Sequence, residues 1–153
     1  MSLDNEQSGF TLIELIVVLV ILGILAATAL PKFTNFERNA RVSKIKAAKG
    51  ALQATAALAH GKYLVTIPIP ATVIFEGTTI TYSTAFASGY PKADTNLAAA
   101  SGLNASDYTL TASGTTLTVS PVSASVPATC SVVYTEPVSA VVAPTLFVAI
   151  SGC

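Results

Sequence analysis

The first pattern along the chain is an almost unbroken apolar run. From Phe10 to Leu30 the sequence reads FTLIELIVVLVILGILAATAL, with Thr11, Glu14 and Thr28 as its polar exceptions and no charge at all after Glu14. At about 1.5 Å of rise per residue, a helix over this stretch comes close to the roughly 30 Å hydrocarbon thickness of a bilayer. The pattern then changes without ending. Phe33, Phe36, Ala40, Ile45, Ala48, Leu52, Ala56 and Ala59 recur mostly at three- and four-residue steps, with basic residues between them, which predicts an amphipathic helix. Helix is expected from about Phe10 to about His60, where Gly61 offers a left-handed cap. Pro31 is the weak point, expected to kink or locally unwind the helix because it lacks an amide hydrogen.

After Gly61 the period falls to two. TVIFEGTTITYS (72–83) reads as strand, turn at Gly77, strand, and DYTLTASGTTLTVS (107–120) repeats that arrangement around Ser113 and Gly114. CSVVYTE (130–136) and TLFVAIS (145–151) predict two further strands, set apart by Pro137 and Pro144. Residues 88–106, rich in Ala, Ser, Gly and Asn, read as a loop with room for a short helix.

Composition sharpens this picture. Of 153 residues, 52% are hydrophobic and only 10% charged, a skew that a membrane segment near the N-terminus would explain. A secretory signal peptide competes, but there is no basic region ahead of the run, Glu14 lies inside it, and Pro31-Lys32-Phe33 replaces a small-residue cleavage site. Net charge is zero yet uneven: Asp4 and Glu6 precede the run, and Lys32, Arg38, Arg41, Lys44, Lys46 and Lys49 follow it. Taken alone, that asymmetry would keep the C-terminal half inside. The two cysteines, Cys130 and Cys153, suggest a disulfide in an exported chain and two free thiols in a cytosolic one.

The stretch GFTLIELIVVLVILGILAATALPKF (9–33) resembles the N-terminal signature of type IV pilins and pseudopilins almost position by position. The resemblance implies a division into a leader (1–9), a membrane and filament-core helix (10–31), an amphipathic helix (32–61) and a β-sheet domain (62–153). The implied fold is α+β, a long N-terminal helix packed on an antiparallel sheet with a disulfide-closed segment from Cys130 to Cys153. A prepilin peptidase would cut between Gly9 and Phe10 and methylate the new amine of Phe10. Glu14 would then be an assembly residue, its carboxylate neutralising the Phe10 amine of a neighbouring subunit, and Pro31 would mark the stretch that melts on assembly. A lone carboxylate in lipid costs about 2.5–3.5 kcal/mol at a helix centre, so a partner is expected. The leader MSLDNEQSG is acidic, whereas family leaders usually carry Lys or Arg.

The implied role is a structural subunit that polymerises with copies of itself into a pilus for adhesion, motility or DNA uptake. It would sit in the inner membrane before assembly and on the bacterial surface afterwards, with the prepilin peptidase and an assembly platform as partners. The terminal cysteines favour a pilus subunit over the alternative, a pseudopilin of type II secretion, and C-x-V-x-Y-T at Cys130 faintly resembles mannose-sensitive haemagglutinin-type pilins. No catalytic residue, metal site or cofactor is assigned: His60 stands without a convergent acid or thiol, and no phosphate-binding glycine loop or zinc spacing occurs. The basic run 38–49 could supply phosphate affinity for nucleic acid, but a solvated or inter-subunit helix face is the reading adopted.

Overall fold

The computed structural model describes residues 10–84 and 87–153, the side chains of 30–34 excepted. Its elements are α1 (Leu12–Val65), β1 (Thr72–Phe75), β2 (Thr78–Thr81), α2 (Thr95–Ala100), β3 (Tyr108–Ser113), β4 (Thr116–Pro121), a 3-10 turn (Pro127–Thr129), β5 (Ser131–Thr135) and β6 (Thr145–Ala149). The fold is α+β. By its contacts the chain divides between Glu37 and Arg38 into two units.

In the first unit, Leu12–Ala29 is an 18-residue helical window of mean hydropathy 2.8, with none of it buried. Its length and composition suit a membrane crossing. α1 is continuous through Pro31, so the unwound stretch expected there is not formed.

In the second unit the helix supplies one wall of the core. Ile45, Ala48, Leu52, Ala56 and Ala59 are buried at steps of three and four, as the periodicity predicts. The apolar face begins later than expected: Phe36 is 72% exposed and Ala40 is exposed, because the core cluster that covers the helix starts at Val42 and Ile45. The helix also ends later, at Val65 instead of His60. Tyr63 explains the extra turn, since it packs against the core edge-on to Tyr82, with ring centroids 5.0 Å apart. Gly61 therefore remains helical and is not the cap. The Thr66 hydroxyl donates to the Lys62 carbonyl at 2.8 Å, and Pro68 and Pro70 prevent continuation.

The strands form two antiparallel sheets, β1-β2 alone and β3-β4-β5-β6 in chain order. Both predicted hairpins are present. Glu76 (φ 45°) and Gly77 (φ 80°) make the two-residue turn of the first, the paired positive φ values of a type I′ connection. In the second, Ser113 pairs with Thr116, so the turn is Gly114-Thr115, one residue later than Ser113-Gly114. The short helix allowed for in 88–106 is α2, capped by Asp94, whose Oδ1 accepts from the Leu97 amide at 3.0 Å.

One face of the four-stranded sheet, carrying Leu117, Val119, Val132 and Tyr134, joins Ile45 and Leu52 in the core. Buried polar groups tie the connecting segments to it. The Tyr134 hydroxyl donates to the Pro91 carbonyl and the Tyr82 hydroxyl to the Ala59 carbonyl, each at 2.8 Å. Glu136, 6% exposed, accepts from the Ser83 hydroxyl and from the Ala93 amide at 2.8 Å, so one carboxylate holds both ends of the 83–93 loop. Cys130 and Cys153 form a disulfide just outside the paired ends of β5 and β6.

Candidate functional site

Glu14 lies at the third helical position of α1, and the structure gives it a local role. Thr11 precedes the helix and Leu12 opens it. The Thr11 amide donates to Glu14 Oε2 at 2.9 Å, the Thr11 hydroxyl donates to the same oxygen at 2.8 Å, and the Glu14 amide donates to Thr11 Oγ1 at 3.3 Å. This is a reciprocal capping box, in which two otherwise orphaned backbone donors are satisfied by side chains. The helix dipole favours a carboxylate at this end as well. The signal was present in the sequence as T-x-x-E at 11–14, but reading Glu14 only as a charge in lipid misses it.

Around the carboxylate the surface is apolar. Phe10, Ile13, Val17 and Val18 form a shallow groove with Glu14, and all four are exposed. Such a groove leaves Glu14 accessible to a group from outside the chain. Of the other residues assigned to processing and assembly, Gly9 lies outside the described residues, and Pro31 has its backbone within α1.

The basic run after the apolar helix is not simply a solvated or inter-subunit face. Arg38 donates to the Ile150 carbonyl at 3.5 Å, and Arg41 Nε donates to the Cys153 carbonyl. Lys44 pairs with Asp107 at 2.7 Å and lies over the Tyr108 ring, 4.8 Å from its centroid. Three of these cations thus attach the sheet and the disulfide-closed segment to α1. Being partly exposed, the Lys44–Asp107 pair is worth at most about 1 kcal/mol, so its effect is more on placement than on stability. Gly152 completes the attachment: its amide donates to the Thr129 carbonyl at 3.0 Å and its carbonyl accepts from the Val126 amide at 3.2 Å. A Cβ there would collide with the side chains of Thr129 and Val126.

His60 stacks on Tyr90, with centroids 4.0 Å apart and planes within 2°, and its Nδ1 is buried without a hydrogen-bond partner. Its visible role is packing between α1 and the 83–93 loop. Among the described residues no group of three or more His, Cys, Asp or Glu is placed to hold a metal ion.

Residues 4–30 match the family model of the prokaryotic N-terminal methylation motif. This is the type IV prepilin signature. The capped apolar helix with its single carboxylate falls largely within this matched segment, which supports a pilin-like or pseudopilin-like substrate of prepilin peptidase and implies a structural subunit. Prepilin segments of this kind are consistent with membrane anchoring before assembly. The match does not extend into residues 31–153, and no curated protein and no solved structure matches the chain.

Proposed function

We propose that the chain is the major subunit of a bacterial type IV pilus. Residues 1–9 act as the leader, prepilin peptidase cuts between Gly9 and Phe10 and methylates the Phe10 amine, and the subunit waits in the inner membrane until an assembly platform adds it to a homopolymer. The apolar helix 10–31 forms the filament core, 32–61 carries the globular domain, and the sheet with its Cys130–Cys153 segment faces outward on the cell surface. The observation that carries this reading is the wholly exposed apolar helix beginning at the methylation motif, which must find its burial in lipid and then in other copies. The disulfide-closed terminal segment supports a pilus subunit over a type II secretion pseudopilin.

Glu14 neutralises the Phe10 amine of a neighbouring subunit in this scheme and sets axial register, as a buried polar contact can. The capping box supplies a sharp test, because glutamine also serves at the third helical position of such a box but carries no charge. Intact mass and N-terminal sequencing of protein sheared from the cell surface should show N-methyl-Phe10 at the N-terminus. Surface filaments should be lost in Glu14→Gln as well as in Glu14→Ala. Normal piliation in Glu14→Gln would reduce Glu14 to a helix cap, and an uncleaved chain confined to the membrane would overturn the pilus reading.

A further inference from the structure

The turn that leads into β3 carries a chemical pattern that neither the fold nor the proposed function uses. Asn104, Ala105 and Ser106 form an Asn-x-Ser triplet whose middle residue is not proline, the acceptor pattern for sugar attachment through a side-chain amide. The other asparagines, Asn5, Asn35, Asn39 and Asn96, have Gln, Glu, Arg and Ala two places on. All three triplet residues are exposed, as is Asp107 after them. Buried Leu103 on one side and buried Tyr108 on the other anchor the ends of the turn in the core, so the triplet stands out on a fixed base.

The turn itself does not call for these side chains. The Asn104 carbonyl accepts from the amides of Asp107 at 3.1 Å and Tyr108 at 3.0 Å, and any residue supplies a main-chain carbonyl. Nor does the backbone use the tolerance of asparagine for left-handed geometry: among the described residues, positive φ values outside glycine belong to Glu76 and Ala87. Neither the Asn104 amide nor the Ser106 hydroxyl has a hydrogen-bond partner among the described residues, so both are open to an enzyme.

The surrounding surface gives a sugar a physical use. From Arg38 to Cys153 the sequence holds seven Lys or Arg and four Asp or Glu in 116 residues, about a tenth, where a soluble surface carries roughly 25–35%. Arg38, Arg41 and Lys44 are already engaged by the sheet and the terminal segment, and Glu136 is buried. Ile67, Val138, Val141 and Phe147 are exposed. A bulky glycan hydrates such a surface without adding charge.

We propose that Asn104 is an N-glycosylation site whose donor is a glycosyl diphosphate. The Asn104 carboxamide nitrogen forms a bond to the anomeric carbon of the sugar, and the bond from that carbon to the diphosphate oxygen breaks. The diphosphate departs with the electron pair, and a base of the transferase takes one amide proton. Ser106 offers its hydroxyl to the transferase beside the amide and is not itself modified. The site does not depend on the pilus reading, since it needs only the exposed turn and a transferase that reaches it.

The test is the intact mass of the full chain isolated from its native cells, compared with the disulfide-bonded sequence from whichever N-terminus the chain carries. Wild-type protein should be heavier by a glycan. The increment should vanish in Asn104→Gln and in Ser106→Ala and return in Ser106→Thr. An increment of one sugar assigns a nucleotide-linked donor, and an oligosaccharide assigns a lipid-linked one. Amidase release of the glycan should convert Asn104 to Asp in the wild-type peptide, which locates the site without any variant. A wild-type chain with no added mass would overturn the proposal, as would an increment that survives in Asn104→Gln or Ser106→Ala. Either failure leaves the pilus reading standing, because filament formation is scored separately.

Discussion

The helix up to Glu37 and the unit from Arg38 to Cys153 solve the burial problem in opposite ways. In the first, apolar side chains such as Leu15, Val17, Leu22 and Leu25 are all exposed among the described residues. In the second, side chains as large as Tyr134, Leu52 and Leu117 are fully buried, and most deep polar groups have partners. One region depends on its surroundings for stability; the other carries its own. Under the pilus proposal this division has a use, since the part that changes environment is then not the part that holds the fold.

Perturbations confined to one region should leave the other unchanged. Losing the disulfide should cost the globular unit most: Cys130→Ser with Cys153→Ser should lower its unfolding free energy by about 3 kcal/mol, measured by denaturant titration, with membrane insertion unaltered. The converse is Leu19→Arg, which should disfavour insertion by about 2.5–3.5 kcal/mol in a translocation assay while the thermal transition of the globular unit stays in place. Glu136→Ala removes the acceptor of both the Ser83 hydroxyl and the Ala93 amide, and the unfolding free energy should fall by about 2 kcal/mol. Faster proteolysis within the 83–93 loop would localise that loss.

The smallest effect is a pH dependence confined to the globular unit. Burial raises the Tyr134, Tyr82 and Tyr108 hydroxyls above the ordinary tyrosine value of 10.0. A raised folded-state pKa means that the folded chain holds the proton after the unfolded chain releases it, so stability is fully present below about pH 10 and declines above it. Tyr134→Phe should flatten that alkaline decline in a pH series of thermal melts.

The sequence made the helix and all six strands legible because each follows a period that burial enforces. The core face at 45, 48, 52, 56 and 59 was readable because helix geometry alone aligns those residues. The far end of α1 was not, since Tyr63 makes its decisive contact with Tyr82, which is distant in sequence. The same holds for the basic residues: nothing near Arg38 or Arg41 in the chain announces that their acceptors are the carbonyls of Ile150 and Cys153. At the candidate site, Glu14 stands out in the sequence by its isolation in the apolar run, and its bond to Thr11 was written in the T-x-x-E spacing.

The order of the four-stranded sheet bears on how the chain reaches its final covalent form. Every neighbour in β3-β4-β5-β6 is also the next strand in sequence, so pairing can advance hairpin by hairpin without waiting for distant segments. Ser131 opposite Ala149 closes the β5–β6 ladder, and Cys130 stands immediately before it. A slip of one residue would turn Val132 and Tyr134 out of the core and carry the thiol of Cys130 away from that of Cys153. The Cys130–Cys153 bond thus fits only the aligned register, and closing it locks that register in place.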